Sequence, residues 1–173
     1  MAVGFKAKLD RAAYLVNWVV ERICALLVGV MVLVIWFEVL ERYFLELGIT
    51  WTEEFSRYVM IWAALLAVSC GAYYREHIGL ALVRQMLPPR VGRGLIMALD
   101  VVSLAFFLFM TYYGVFMTIA GAGQYATIFG MTMVVPFASV PVSSALTAFQ
   151  VFASMLRGPD PIAAGSMAAG GVQ

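Results

Sequence analysis

The sequence predicts an all-α integral membrane protein with four transmembrane helices and a short interfacial helix after the second span. Hydrophobic residues make up 64% of the 173 residues and charged residues only 12%, whereas soluble domains contain about 25% charged residues. The mean hydropathy is +0.93. The apolar residues are also grouped into long segments, and a helix needs about 20 mainly apolar residues to cross a bilayer. These observations together indicate a small membrane-embedded helical bundle.

The first two spans are predicted over residues 19–43 and 54–74, because each contains a long uncharged centre. No charged residue occurs from Val101 to Leu156, and this stretch is too long for a single span. Two further spans are therefore predicted over 95–120 and 132–156. A glycine-containing turn would join them.

Residues 77–87, between the second and third spans, are too few to cross the bilayer and mix apolar with polar side chains. This pattern predicts an interfacial helix, with lipid headgroups contacted by Arg84, Arg90 and Arg93. A partly helical loop is the alternative. The membrane domain then covers residues 1–157, and the Gly/Pro-rich tail over 158–173 is predicted to be flexible.

The distribution of lysine and arginine predicts the topology. Basic residues precede the first span at Lys6, Lys8 and Arg11, and four arginines lie in the second connection, whereas the third connection has none. Positively charged loops remain on the cytoplasmic side. Both termini and the second connection are therefore predicted to be cytoplasmic, and the first and third connections lie on the opposite side.

The composition excludes several function classes. A net charge of +1 without a basic run argues against a nucleic-acid partner. The single histidine, His77, and the separated Cys24 and Cys70 do not form the spacing of a metal site. No nucleophile and base constellation is evident. We therefore expect neither an enzyme nor a bound cofactor.

Charged residues open the second span at Glu53, Glu54 and Arg57. Thr50 and Glu53 fit a capping box, and Glu53 lies one turn before Arg57, so these two side chains can form an ion pair. The group can simply begin and anchor the helix. Alternatively, it joins the charges that end the first span in a network between helices, or it docks an external partner.

A second group of charges is predicted at the inner level. Glu21 and Arg22 enter the first span, and Asp100 lies early in the third. Charges at membrane depth are costly unless they are paired, so the sequence predicts pairing between helices, with Asp100 contacting Arg22, Arg75 or Arg93. Small residues on the second span, including Gly71, permit close approach of a neighbouring helix.

The fourth span contains two prolines and several serines, among them Pro136, Pro141, Ser139 and Ser143. This composition predicts a kinked and slightly polar helix. A protein–protein contact face and the lining of a substrate path are both compatible with it.

Two motifs resemble the small membrane subunit (DctQ-like) of tripartite ATP-independent periplasmic (TRAP) transporters. The first, "WTEEFSRYVMIW", contains Trp51, Glu53, Glu54, Arg57 and Trp62. The second, "GAYYREHI", contains Gly71, Arg75 and His77. The length of the chain, the four spans and the cytoplasmic termini agree with that family.

The resemblance implies a secondary transport system in the bacterial inner membrane that takes up an organic acid or similar solute. A periplasmic substrate-binding protein would deliver the solute to a large sodium-coupled membrane subunit that moves in an elevator-like manner. This chain would be the fixed scaffold, with the residues of the two motifs facing its partners. The alternative function, from another class, is a self-contained four-span exporter that acts as a homodimer.

Overall fold

The computed structural model describes residues 2–45, 51–74, 89–126, 128 and 130–157. Helix α1 (Ala2–Leu40) continues into a π-helical turn (Glu41–Leu45), and α2 (Trp51–Tyr74) follows. Helix α3 (Pro89–Ala120) ends in a 3-10 turn (Gly121–Gly123), and α4 (Val134–Arg157) is the last element. In this part of the chain, four helices are long and apolar enough to span a membrane. The predicted all-α membrane fold is confirmed.

The helices extend beyond the hydrophobic segments from which they were predicted. Helix α1 begins at Ala2, whereas the first span was predicted over 19–43. Hydropathy marks the part of a helix that matches the hydrocarbon core, but the backbone hydrogen bonds of the helix can continue past that core. Helix α3 begins at Pro89, at the position in a first turn where the missing N–H of proline costs little. The predicted interfacial helix over 77–87 and the tail over 158–173 lie outside the described residues.

Helix α4 lies at the centre of the bundle. It contacts α1, α2 and α3, and α1 also packs along α2. Over their described lengths, the backbone of α3 does not lie next to that of α1 or α2. Helix α4 therefore provides the common surface that holds the other three helices together.

The buried face of α4 is made mainly of small polar residues. The Ser143 hydroxyl donates to the Ser139 carbonyl oxygen at 2.6 Å, and the Thr147 hydroxyl donates to the Ser143 carbonyl oxygen at 2.8 Å. Hydroxyl groups that bond within their own helix in this way leave no unpaired donor. Small side chains also allow helices to approach closely in membranes. The polar residues predicted on this span therefore pack against helices of the same chain.

A glycine on α3 meets the proline inside α4. A Cβ atom added to Gly114 would lie 3.1 Å from Cδ of Pro141, which is closer than ordinary van der Waals contact. Seven residues later, a Cβ added to Gly121 would lie 2.7 Å from Cδ2 of Phe137. The contact between α3 and α4 therefore depends on the absence of side chains at these two glycines.

Candidate functional site

The first turns of α2 carry an exposed ion pair. Nη2 of Arg57 lies 3.0 Å from Oε1 of Glu53, and the two side chains are 62% and 70% exposed. The pairing predicted from their spacing is confirmed. Thr50, the other half of the predicted capping box, lies outside the described residues. Because both charged groups are accessible, this pair is available to a binding partner.

Glu54 has a different environment from Glu53. Its Oε1 accepts a hydrogen bond from the Tyr58 hydroxyl at 2.7 Å, and its Oε2 accepts the backbone N–H of Ile128 at 3.2 Å. Ile128 lies in the connection between α3 and α4. The Tyr58 hydroxyl is also 3.7 Å from Sδ of Met133. Glu54 and Tyr58 therefore attach α2 to that connection.

The connection itself is a short hairpin. The backbone N–H of Ala126 donates to the Met131 carbonyl at 2.7 Å, and the N–H of Met133 donates to the Gln124 carbonyl at 2.9 Å. Gly130 has a φ of 61°, a left-handed conformation that glycine adopts at little cost. The backbone hydrogen bonds and the Glu54 carboxylate together fix the shape of this hairpin.

The two tryptophans of the first motif lie in different places. The indole Nε1–H of Trp62 donates to the Val135 carbonyl at 3.2 Å, which links α2 to the first turn of α4. Trp51 is 41% exposed, and its ring packs edge-on against Phe55 with centroids 6.3 Å apart. Trp62 thus contributes to the packing of this chain, and Trp51 remains partly accessible.

At the end of the bundle opposite the hairpin, Tyr74 joins α2 to α1. Its hydroxyl donates to Oε2 of Glu21 at 3.5 Å and accepts from Nδ2 of Asn17 at 3.4 Å. The guanidinium carbon of Arg22 lies 4.0 Å from the ring centroid of Trp18, on the same helix. Glu21 therefore reaches the neighbouring helix through a tyrosine, and the described contact of Arg22 is a cation–π interaction.

The pairing of Arg22 with Asp100 stays a prediction. Asp100 lies on α3, whose backbone does not lie next to that of α1 in the described helices. The other proposed partners of Asp100 remain predictions, since Arg75 lies outside the described residues. His77 and Arg84 also lie outside them, and Arg90 and Arg93 fall in the first turns of α3.

Two buried amide side chains were missed by the sequence reasoning. Nε2 of Gln150 donates to the Ala13 carbonyl at 3.1 Å and connects α4 to α1. Gln150 is 1% exposed and Asn17 is 3% exposed. Their side-chain carbonyl oxygens have no donor among the described residues. Isolated amides inside apolar segments are costly, and that signal could have identified both residues.

Gly71 of the second motif lines a groove between α2 and α3. The α2 wall also includes Val68 and Ala72, and the cavity volume is about 250 Å³. A Cβ atom added to Gly71 would meet nothing within 4 Å. Gly71 therefore borders open space in this structure.

The described residues contain no cluster of three or more His, Cys, Asp or Glu side chains that could hold a metal ion. Cys24 and Cys70 are free and half-buried. The polar side chains described above hold helices together or lie exposed at a bundle end.

Comparison with known proteins agrees with the two motifs. The family model for the DctQ component of tripartite ATP-independent periplasmic transporters matches residues 31–159. A Haemophilus influenzae protein described as a TRAP transporter small permease protein is 31% identical over 77 residues, which are 44% of this chain and 48% of that protein. The matched region thus spans about half the length of that relative. Because the family match covers most of this chain, including both motifs, the protein belongs to the DctQ component family of TRAP transporters.

Proposed function

We propose that this small TRAP permease subunit scaffolds and anchors a large membrane subunit during sodium-coupled uptake of an organic acid or similar solute. The large subunit would carry the substrate and sodium sites and move in an elevator-like manner, and a periplasmic binding protein would deliver the solute. Such movement requires a component that stays fixed in the bilayer. This chain would supply it.

The position of the Glu53–Arg57 pair is the observation that carries the proposal. The pair is exposed at one end of α2, whereas the long stretch from Val101 to Leu156 has no charge. Polar and aromatic residues near the membrane interfaces resist tilt and vertical displacement of helices. Accessible charges at one end of α2, beside two helices and a hairpin that carry no charge from Val101 to Leu156, support a role in holding position and contacting a partner.

The chain is proposed to lie in the bacterial inner membrane with both termini in the cytoplasm. Glu53 and Arg57 would then face the periplasm, where the large subunit or the binding protein can reach them. Arg75, His77 and Arg84 would attach the cytoplasmic side to the large subunit or to lipid headgroups.

The replacement Arg57→Ala tests the proposal. Arginines at the centre of an interface often contribute more than about 1 kcal/mol, so association with the large subunit should weaken about tenfold. Uptake of two chemically different solutes should fall to the same extent. The measurements are co-purification of the large subunit and uptake into cells that carry the whole system.

Arg42→Ala is the matched control, because Arg42 is also exposed and lies in the π-helical turn at the same end of the bundle, but stands outside the two motifs to which the partner contacts are assigned. It should leave both measurements unchanged. Intact assembly with altered preference between the two solutes would contradict the proposal, since it would place this chain in substrate selection.

Reconstitution separates the scaffold from the exporter alternative. Liposomes that contain this chain as the only protein should show no solute-dependent transport. Transport by the chain alone would refute the scaffold proposal.

A further inference from the structure

Two amide side chains are buried where α1 meets α2 and α4, toward the end of the bundle opposite the hairpin. Asn17 is 3% exposed and Gln150 is 1% exposed. Each nitrogen has a partner, since Nδ2 of Asn17 donates to the Tyr74 hydroxyl and Nε2 of Gln150 donates to the Ala13 carbonyl. Oδ1 of Asn17 and Oε1 of Gln150 accept no hydrogen bond from the described residues. Both buried oxygens therefore require a donor.

The orientation of the two amides is fixed by the groups that their nitrogens contact. A backbone carbonyl can only accept, so the part of Gln150 that faces Ala13 is its N–H₂ group. The Tyr74 hydroxyl donates its own hydrogen to Oε2 of Glu21, so it accepts from Asn17. Rotating either amide by half a turn would place two acceptors against each other. A rotated amide therefore does not provide the missing donors.

Both amides lie against the same turn of α1. Asn17 follows Ala13 by four residues, and side chains four apart share a helix face with Cβ atoms about 5–6 Å apart. Helix side chains also lean toward the N-terminus, which brings the Asn17 amide toward Ala13. The Gln150 nitrogen is 3.1 Å from the Ala13 carbonyl oxygen. The two amides are therefore neighbours at the contact between α1 and α4.

Burial and hydrogen bonding together determine which ligand fits between them. A lipid or a side chain of another subunit cannot reach residues that are 3% and 1% exposed. A hard cation such as Mg²⁺ or Ca²⁺ requires about six or more oxygen ligands, whereas the amides supply two. Water donates two hydrogen bonds, and two bonds of about 2.8 Å span about 5.6 Å. Water is also the usual partner of buried polar groups that the protein leaves unpaired.

Polar groups connect this position to the surface of the bundle. Tyr74 is 53% exposed, and its hydroxyl lies 3.5 Å from Oε2 of Glu21, which is exposed. The same hydroxyl lies 3.4 Å from Nδ2 of Asn17. Water can therefore enter along these groups without crossing the apolar middle of the bundle.

We propose that one ordered water molecule binds between Asn17 and Gln150 and donates a hydrogen bond to the side-chain oxygen of each. The water completes a chain of hydrogen bonds that runs from Glu21 through Tyr74, Asn17 and Gln150 to the Ala13 carbonyl. This chain joins α1, α2 and α4, and it fixes the central helix α4 in one register on α1. The site goes beyond the scaffold function and does not depend on it.

Asn17 is the only asparagine in the sequence, which permits a direct test by nuclear magnetic resonance. In the full chain, purified in detergent and labelled with ¹⁵N-asparagine, the Asn17 side-chain hydrogens should show direct cross-relaxation with water. The measurement is made in the rotating frame, where this signal and hydrogen exchange have opposite signs. Gln150→Met keeps the length of the side chain but removes its amide, and it should abolish the signal.

Val59→Ala is the control, because Val59 is buried in the half of α2 nearer the hairpin. This replacement should leave the Asn17 signal unchanged. Absence of direct cross-relaxation in the unmodified chain overturns the proposal, and that result requires no variant to fold. Persistence of the signal in Gln150→Met also overturns it, because the water would then not bridge the two amides.

Thermal unfolding of the same purified chains gives a second measurement. Asn17→Leu and Gln150→Met should each leave the remaining amide oxygen without its donor, whereas the double variant has neither oxygen. The double variant should therefore lose about 3 °C less in unfolding temperature than the sum of the two single losses. Gln150→Met combined with Val59→Ala should be additive. An additive loss for the two amides overturns the proposal. These measurements concern the isolated chain, so their failure is distinct from a failure of the scaffold proposal, which is measured by uptake.

Discussion

Two adjacent glutamates at the start of α2 have different surroundings. Glu53 pairs with Arg57 on the exposed side of the helix, whereas Glu54 accepts hydrogen bonds from Tyr58 and from the backbone of Ile128. Consecutive residues of a helix point about 100° apart, and residues four apart share a face. The exposed face therefore contains residues 53 and 57, and the half-buried face that meets the hairpin, named the inward face here, contains 54, 58 and 62.

This difference indicates that the two faces of one motif have different roles. The inward face, Glu54, Tyr58 and Trp62, holds the hairpin between α3 and α4 and the first turn of α4. Glu53 and Arg57 on the exposed face contact each other, and none of their contacts in the described part of the chain reaches another helix. Changes on the inward face should therefore alter stability first, and changes on the exposed face should alter assembly with a partner.

The largest expected loss of stability comes from a replacement in the 3-10 turn (Gly121–Gly123) between α3 and the hairpin. Gly121→Leu would force a side chain against Phe137 and the backbone of Met133, where even a Cβ lies 2.7 Å and 3.2 Å from the nearest atoms. Overpacking of this kind costs about 1–3 kcal/mol, so the unfolding temperature should fall clearly. Reaction of the half-buried Cys24 and Cys70 with a thiol-reactive dye during heating would report unfolding.

Gly123→Leu is the control for this change. Gly123 lies in the same 3-10 turn, and a Cβ there meets nothing within 4 Å. It should leave the unfolding temperature nearly unchanged. An equal decrease in unfolding temperature from the two replacements would mean that the conformation of the turn determines the stability of this end of α3, and that the contact with Phe137 does not.

A smaller effect is expected for Glu54→Gln. Glutamine retains one acceptor oxygen but places an N–H₂ group against the second donor, either the Tyr58 hydroxyl or the Ile128 N–H. Loss of a hydrogen bond to a charged group costs about 1.5–3 kcal/mol when it is buried, and partial exposure here reduces this to about 1 kcal/mol. The decrease in the unfolding temperature of the full chain measures this loss of stability.

Glu53→Gln provides the comparison with the exposed face. An exposed pair at i and i+4 contributes about 0.3–0.5 kcal/mol, so this variant should unfold close to the unmodified chain. A larger loss of stability from Glu53→Gln than from Glu54→Gln would reverse the assigned roles of the two glutamates.

The sequence predicted the parts of the structure that depend on local spacing. Four spans follow from segments of apolar residues, and the Glu53–Arg57 pair follows from a separation of one helical turn. The partner of Glu54 on the hairpin could not be predicted in this way. Glu54 and Ile128 are 74 residues apart, and a backbone N–H gives no signal in the sequence.

The charges predicted at the inner level show a second limit of prediction from sequence. Arg22 and Asp100 were assigned to one level from their positions near span ends, but helix order in the bundle also determines which side chains can meet. Helix α4 lies among the others, and the backbones of α1 and α3 do not lie next to each other in the described helices. Depth alone therefore leaves the partner of Asp100 a prediction. Neighbour relations must be known as well.

A modest loss of stability is also expected for Trp62→Phe. Phenylalanine keeps an aromatic ring on the inward face but removes the N–H that donates to the Val135 carbonyl. One neutral hydrogen bond contributes about 0.5–1.5 kcal/mol, so the unfolding temperature should fall slightly while co-purification of the large subunit is retained. Trp36→Phe is the control, since Trp36 is 69% exposed on α1 and should not change the unfolding temperature. Loss of the large subunit from Trp62→Phe, with unchanged stability, would instead place Trp62 on the partner-facing side and end the separation of the two faces.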